Sequence, residues 1–296
     1  MKNIIFFIIF CLCSTRIYAY TISASILPLQ SLASMVTEGI IPVNLILNPN
    51  ILPHDLELTY KQQDSINKSD VLIIVSPKLE TVIYKASSNK NNIIIMANTP
   101  KIKLSYYTNN SVLNSKNPNI HSQMIDPHIW LDTNNAIAFL QYLAQELAKH
   151  DPKNAKLYYA NANKYSKLLQ NMKAKIQPNV EDLNNFLVYH NGYSYLINSF
   201  HLQQNYKGYI AKHSHESNAN SIKSLLNLKT FISKNNITCI LTEKNIVDPN
   251  IQKFIKDNNL KTRTLDALGK TESKIQQVYF SIIRNNVIAI ESCSHK

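Results

Sequence analysis

The sequence predicts an α/β protein, two lobes with mostly parallel sheets joined by one long helix. Three observations predict it. Short β-branched or apolar runs alternate with helical periodicity in both halves of the chain, the rhythm of βαβ units. Residues 153–175 contain no Gly or Pro and repeat apolar side chains at helical spacing. The 296 residues, 45% hydrophobic and 17% charged, suffice for about two packed domains of roughly 150 residues each and exclude wholesale disorder.

In the first half, residues 21–26 and 43–46 are apolar runs bounded by Pro and Asn and read as strands. Between them, residues 29–38 have helical periodicity and stop at Gly39, a natural helix end. Residues 64–68 lead into Val71-Leu72-Ile73-Ile74-Val75, a buried-type strand, and residues 92–96 form another. The polar residues 104–123 read as a long surface loop, after which Asp132 caps a helix reaching about His150. Asp151-Pro152 opens the long helix, about 35 Å at 1.5 Å per residue, with Leu157, Ala160, Tyr165, Leu168, Leu169 and Met172 as its apolar face. The rhythm then resumes with strands at 186–190, 238–242 and 261–265 and helices at 218–233, 249–258 and 271–285. Asp248 is the expected N-cap of the middle helix, with Pro249 at its first position. The expected division is a signal peptide at 1–19, a first lobe at 20–150, the linking helix at 151–178 and a second lobe at 179–296. Such lobes bind ligands at the carboxyl ends of their strands.

Composition removes several function classes. With only four glycines, no GxGxxG or GxxxxGK[ST] loop can be written, so a phosphate-cradling site is excluded. The net charge of +12 comes from scattered lysines with few arginines. That pattern is a composition bias, and no nucleic-acid partner is expected. Lys2, the apolar run from Ile4 to Cys13, and Ala19 follow the order of a secretory signal. The run is too short for a bilayer, which needs about 20 residues. A soluble, periplasmic, exported protein cleaved after Ala19 is expected. Two cysteines then remain, Cys239 and Cys293, an even count that suggests one disulfide in an exported chain.

Of nine histidines, His150, His201 and His295 lie in helical or terminal contexts and are expected to face solvent. His54, His128 and His190 lie at strand exits or helix entries, as does Asp266. Three imidazoles and a carboxylate suit tetrahedral Zn²⁺. Their wide separation excludes a zinc finger and equally fits isolated, hydrogen-bonded rim histidines.

Four segments carry a resemblance. They are Leu52-Pro53-His54-Asp55-Leu56-Glu57-Leu58-Thr59, followed by Asp70-Val71-Leu72-Ile73 and Leu79-Glu80; Asp126-Pro127-His128-Ile129-Trp130-Leu131-Asp132; His190-Asn191-Gly192-Tyr193-Ser194-Tyr195-Leu196; and Thr242-Glu243 with Leu265-Asp266-Ala267-Leu268-Gly269. In this order they resemble the metal-binding solute receptors of bacterial ABC importers, the zinc/manganese class, and most closely the zinc-uptake ZnuA type. The resemblance implies His54, His128, His190 and Asp266 as metal ligands and Glu243 as an acid orienting a ligand imidazole. It also implies a Cys239–Cys293 disulfide. A His at the third position goes with zinc rather than manganese in this class, in line with the preference of nitrogen ligands for Zn²⁺. The implied protein is a monomer and not an enzyme. It binds Zn²⁺ as transported solute and hands it to an ABC permease with a separate ATPase. Binding needs neutral imidazoles, so affinity is expected to fall below about pH 6.5.

The chain departs from the family in places. Residues 104–123 hold only His121 where many zinc receptors carry a His-rich loop, Lys244-Asn245-Ile246 replaces a Pro-x-Phe, and Ala267 stands where Pro is usual. His213 and His215 could join an accessory site, though a solvated loop suits so short a pair better. The alternatives are a manganese receptor, a secreted zinc-dependent hydrolase, or an adhesin on the same fold. A hydrolase keeps an open metal position beside a general base, and no HExxH occurs here.

Overall fold

The structure is a computed structural model and describes residues 20–49, 57–107, 111–112, 125–211, 222–243 and 248–295. The expected signal segment, residues 1–19, lies outside them, as do His54, His121, His213 and His215. Among the described residues no helix is long and apolar enough to cross a membrane.

The first lobe is a sheet of β1 (Ile22–Ala24), β2 (Val43–Leu45), β3 (Val71–Ile74) and β4 (Ile93–Ile95). Its strands are all parallel, in the order β2-β1-β3-β4. Helices α1 (Leu27–Val36), α2 (Tyr60–Lys68) and α3 (Thr81–Ala86) connect them. Pro28 sits in the first turn of α1, where its missing N–H costs nothing, and Gly39 takes φ +73° just beyond the helix end. Thr59 and Gln62 cap α2 reciprocally. Next come α4 (Thr133–His150) and α5 (Ala155–Lys175).

The second lobe repeats the plan. Strands β5 (Asn185–His190), β6 (Tyr206–Ala211), β7 (Ile237–Glu243) and β8 (Lys261–Leu265) are parallel in the order β6-β5-β7-β8. Helices α6 (Ser194–Ser199), α7 (Ile222–Lys234) and α8 (Pro249–Asp257) connect them, and α9 (Ile275–Ser294) follows. Asp248 caps α8 by accepting the Asn250 N–H at 2.8 Å, as expected. In each sheet the chain leaves the first strand to one side and returns to the other. The strand order therefore reverses between β1 and β3 and between β5 and β7, the places where such sheets hold ligands.

Several elements differ from the sequence reading. Strand β6 was not expected, because Lys207 and Gly208 interrupt its apolar pattern. The last helix starts at Ile275 and runs to Ser294, later at both ends than 271–285. Its residues pack on both lobes: the Ser31 hydroxyl in α1 donates to Ile275 O at 2.7 Å and accepts the Tyr279 N–H at 3.0 Å. Helix α5 buries Tyr158, Asn161, Ala162, Tyr165, Ser166 and Leu169, while Leu157 and Leu168 are more than 40% exposed. The buried stripe is displaced because two polar side chains belong to it. Asn161 donates to the carbonyls of Val36 and Glu38 at 3.0 and 2.8 Å, satisfying the end of α1. The described part of residues 104–123 is not all surface: Val112 is buried and donates its N–H to Tyr209 O on β6 at 3.0 Å.

One core runs through both lobes. It contains Ile22 and Ile73 of the first sheet, Phe186 and Leu241 of the second, and Leu169, Tyr279 and Ile283 of the long helices. Cys239 on β7 and Cys293 in α9 stand at disulfide distance, their Cα atoms 5.7 Å apart and both side chains fully buried.

Glu80 is buried at the exits of β1 and β3. Its carboxylate accepts from Ser25 Oγ at 2.5 Å and from the N–H groups of Val75 and Ser76 at 3.0 and 2.9 Å. Burial pushes the carboxyl up from 4.5 to about 7, with the three donors opposing. Between those values the folded chain keeps a proton that the unfolded chain releases, so stability falls as pH rises through that window. The loss should reach about 3 kcal/mol. Urea unfolding at a series of pH values should show this slope in the wild type and a flatter one in Glu80→Gln.

Candidate functional site

Strand register builds one half of the site. In the β5–β7 pair, Val188 lies opposite Leu241. Two residues further along each strand, on the same faces, come His190 and Glu243. That face carries Phe186, Val188, Cys239 and Leu241 into the core shared with the first lobe. The alternate residues Leu187, Tyr189 and Ile240 enter a separate cluster with Leu228 of α7 and Phe254 of α8. The two polar side chains at the strand ends meet, His190 Nδ1 lying 2.8 Å from Glu243 Oε2. Glu243, expected beside an imidazole, is there.

A turn builds the other half. Asp126 Oδ1 accepts the backbone N–H of His128 at 3.0 Å, and the same oxygen lies 2.7 Å from His128 Nδ1. An Asp bonding its own chain two residues on is a common local turn, and here it folds the carboxylate onto the ring. One 3₁₀ turn, Ile129–Leu131, follows, and Asp132 caps α4 by accepting the Asn134 N–H at 2.7 Å. The rings of His128 and His190 approach edge to face, with centroids 5.2 Å apart. Trp130 stands 5.4 Å from His128. Both imidazoles and both carboxylates are buried.

The charges are held by their neighbours. Burial alone would raise the Asp126 carboxyl, but His128 and the Ser194 hydroxyl hold it below its ordinary value. Burial opposes and His190, His128 and Tyr193 lower Glu243 in the same way. Each carboxylate is therefore an acceptor at neutral pH, and each facing Nδ1 is the donor. A neutral ring protonated at Nδ1 carries its lone pair on Nε2, the nitrogen then suited to a metal. Tyr193 donates its hydroxyl to Glu243 Oε1 at 3.0 Å. Burial and the Glu243 charge hold that phenol well above its ordinary value, so it stays a donor. The Ser194 hydroxyl donates to Asp126 Oδ2.

Asp266 is the first residue beyond β8 and is half-buried. Its Oδ1 accepts the N–H groups of Leu268 and Gly269 at 3.1 and 2.8 Å, and Asn286 of α9 brackets its backbone at 2.8 Å on both sides. Its loop is fastened to the His128 segment, because Trp130 Nε1 donates to Ala267 O at 2.8 Å. Among the described residues, no group of three or more His, Cys, Asp and Glu side chains is gathered closely enough to hold a metal ion. The structure thus brings His128 and His190 together, each with an acid. It sets Asp266 on an adjoining loop, while His54 falls outside the described residues. Sequence reasoning missed Asp126, Tyr193 and Ser194. The first could have been found from an Asp two residues before a site His, the spacing of a local turn.

Two parallel-sheet lobes, with two carboxylate-backed imidazoles meeting at the ends of β5 and β7, define a two-lobed α/β binding protein. The chain belongs to the family described as "Zinc-uptake complex component A periplasmic", whose model matches residues 22–293. It is 23% identical over 273 residues to the zinc-binding protein AdcA of Streptococcus pyogenes, covering 85% of this chain and 52% of that one. The chain thus spans about half the length of that relative. It is 22% identical over 272 residues to the high-affinity zinc uptake system protein ZnuA of Bacillus subtilis, covering 89% of this chain and 84% of that one. Among solved structures, a mutant of the laminin-binding adhesin of Streptococcus agalactiae shares the fold with a TM-score of 0.76 at 19% identity, covering 93% of this chain and 99% of that one.

Gly192 sits between the two rings. A Cβ there would stand 2.9 Å from His190 Cε1 and 3.0 Å from both Cε1 and Nε2 of His128. No left-handed backbone is involved, so a substitution acts through bulk alone. Gly192→Val should separate the imidazoles and cost about 1–3 kcal/mol of stability, measured by urea unfolding against the wild type.

Proposed function

We propose that the protein is an extracytoplasmic receptor that captures Zn²⁺ between its lobes and delivers it to an ABC permease driven by a separate ATPase. In this reading Nε2 of His128 and of His190, the His54 imidazole and the Asp266 carboxylate ligate the ion. The observation that carries it is the pair of buried imidazoles whose Nδ1 atoms are each committed to a carboxylate, His128 to Asp126 and His190 to Glu243, at 2.7 and 2.8 Å. Metal-ligating histidines are commonly held this way, which fixes the tautomer and raises ligand basicity. Three nitrogens and one oxygen suit Zn²⁺ better than the oxygen-preferring Mn²⁺. Four protein ligands fill a tetrahedral sphere and leave no open position for a catalytic water, in keeping with binding and not turnover. The protein is read as periplasmic and monomeric.

Calorimetric titration of chelator-stripped protein should give one tight Zn²⁺ per chain and much weaker Mn²⁺. His190→Ala should lose affinity by more than the roughly 10–100-fold typical of an outer hydrogen-bond partner. A Mn²⁺ preference would make the protein a manganese receptor of the same class, and no tight site would end the receptor reading. The chain's one tryptophan, Trp130, lies beside His128 and is almost fully buried, so it offers an independent signal. Its emission intensity should change on adding Zn²⁺ and stay flat in His128→Ala.

A further inference from the structure

The two carboxylates behind the histidines are held by adjacent residues of one loop. Asp126 presents Oδ1 to His128 and receives the Ser194 hydroxyl on Oδ2. Glu243 presents Oε2 to His190 and receives the Tyr193 hydroxyl on Oε1 at 3.0 Å. A carboxylate held at one oxygen only can swing about its χ angles. One held at both oxygens presents a fixed acceptor to the ring. Tyr193 and Ser194 follow directly on Gly192, whose backbone lies against both imidazoles.

From this geometry we infer that Tyr193 and Ser194 are positioning residues for metal capture, each setting the orientation of a different histidine through a carboxylate. Tyr193 sets His190, within its own lobe. Ser194 sets His128 and reaches across to do so: it opens α6 beside the second sheet, whereas Asp126 and His128 precede α4, which packs on α1 of the first lobe. The first-lobe imidazole is then held in ligating orientation only while the second lobe's loop is seated against it. The inference rests on the receptor reading above for its purpose, but the hydrogen-bond relay is testable without metal.

The test uses the full chain as Tyr193→Phe, Ser194→Ala and Ser194→Thr. Long-range ¹⁵N–¹H NMR of the metal-free protein at about pH 8, where an ordinary imidazole is neutral, reads each ring's tautomer. Competition with a chromophoric chelator reads Zn²⁺ affinity. Ser194→Ala should raise the Nε2–H fraction of His128 and leave His190 unchanged. Tyr193→Phe should do the reverse. Each should weaken Zn²⁺ roughly tenfold, the low end for an outer hydrogen-bond partner, and Ser194→Thr should restore both readouts. Wild-type tautomers and affinity in both hydroxyl-deleted variants would overturn the inference. So would an equal response of both rings to each variant, which would report loosened packing and not positioning. If the wild type takes up no Zn²⁺, the receptor reading fails, while the tautomers still decide whether the relay exists.

Discussion

Asp126 and Glu243 are buried carboxylates held ionised, and each is tolerable because an imidazole and a hydroxyl face it. An isolated buried charge costs several kcal/mol even after relaxation, so Asp126 and Glu243 constrain everything around them. The Asp126 turn needs His128 two residues on, and Ser194 on its far oxygen. Glu243 needs β7 in register with β5, because a slip of one residue would turn its side chain to the other face. Register in turn depends on the two-sided burial of β5 and β7 between one core shared with the first lobe and another under α7 and α8.

The lobes repeat one topology. What joins them is not a flexible tether. Helix α9 packs on α1 as well as on the second sheet, Tyr279 donates to Trp130 O at 2.7 Å, and a single apolar cluster passes between the lobes. Separating them would expose that cluster, at about 25 cal/mol per Å² of apolar surface. Large hinge opening is therefore costly compared with local movement of the loops that carry the site. The Asp266 loop is such a local unit. Gly269 at φ +75° closes it against Ile282, where a Cβ would fall 2.5 Å from Cγ1.

Much of this was legible in the sequence, for a physical reason in each case. Apolar runs such as Val71–Ile74 announce a strand because the residues are buried on both faces. Asp132 and Asp248 announce helix starts because their side chains have a local task, capping the N–H two residues on. His128, His190 and Glu243 were picked out as site residues, and they are neighbours in space. What could not be read depends on partners distant in sequence. The buried face of α5 is set by Asn161 reaching carbonyls more than a hundred residues away. Val112 is buried by an edge strand, β6, that the pattern itself hides. The Ser194 hydroxyl meets Asp126 from 68 residues away in sequence, a pairing that only the fold reveals.

Net charge is a feature of the sequence that points away from the proposed cargo. A chain of +12 would be expected to attract anions. Distance and screening decide the matter. Beyond about 8–10 Å, exposed charges are largely screened at physiological salt. A unit charge about 4 Å away acts with about 4 kcal/mol at an effective dielectric near 20. The lysines lie scattered along the sequence, and none is among the main influences on the Asp126 or Glu243 carboxyl. Asp126 and Glu243, hydrogen-bonded to the far nitrogens of the imidazoles and shielded from water, lie within one screening length of the Nε2 atoms. Any ion placed at the Nε2 side of those rings would meet imidazoles that are each backed by a carboxylate. Composition weights every lysine equally with a buried carboxylate hydrogen-bonded to a site imidazole, so net charge alone is a poor guide to what such a site would bind.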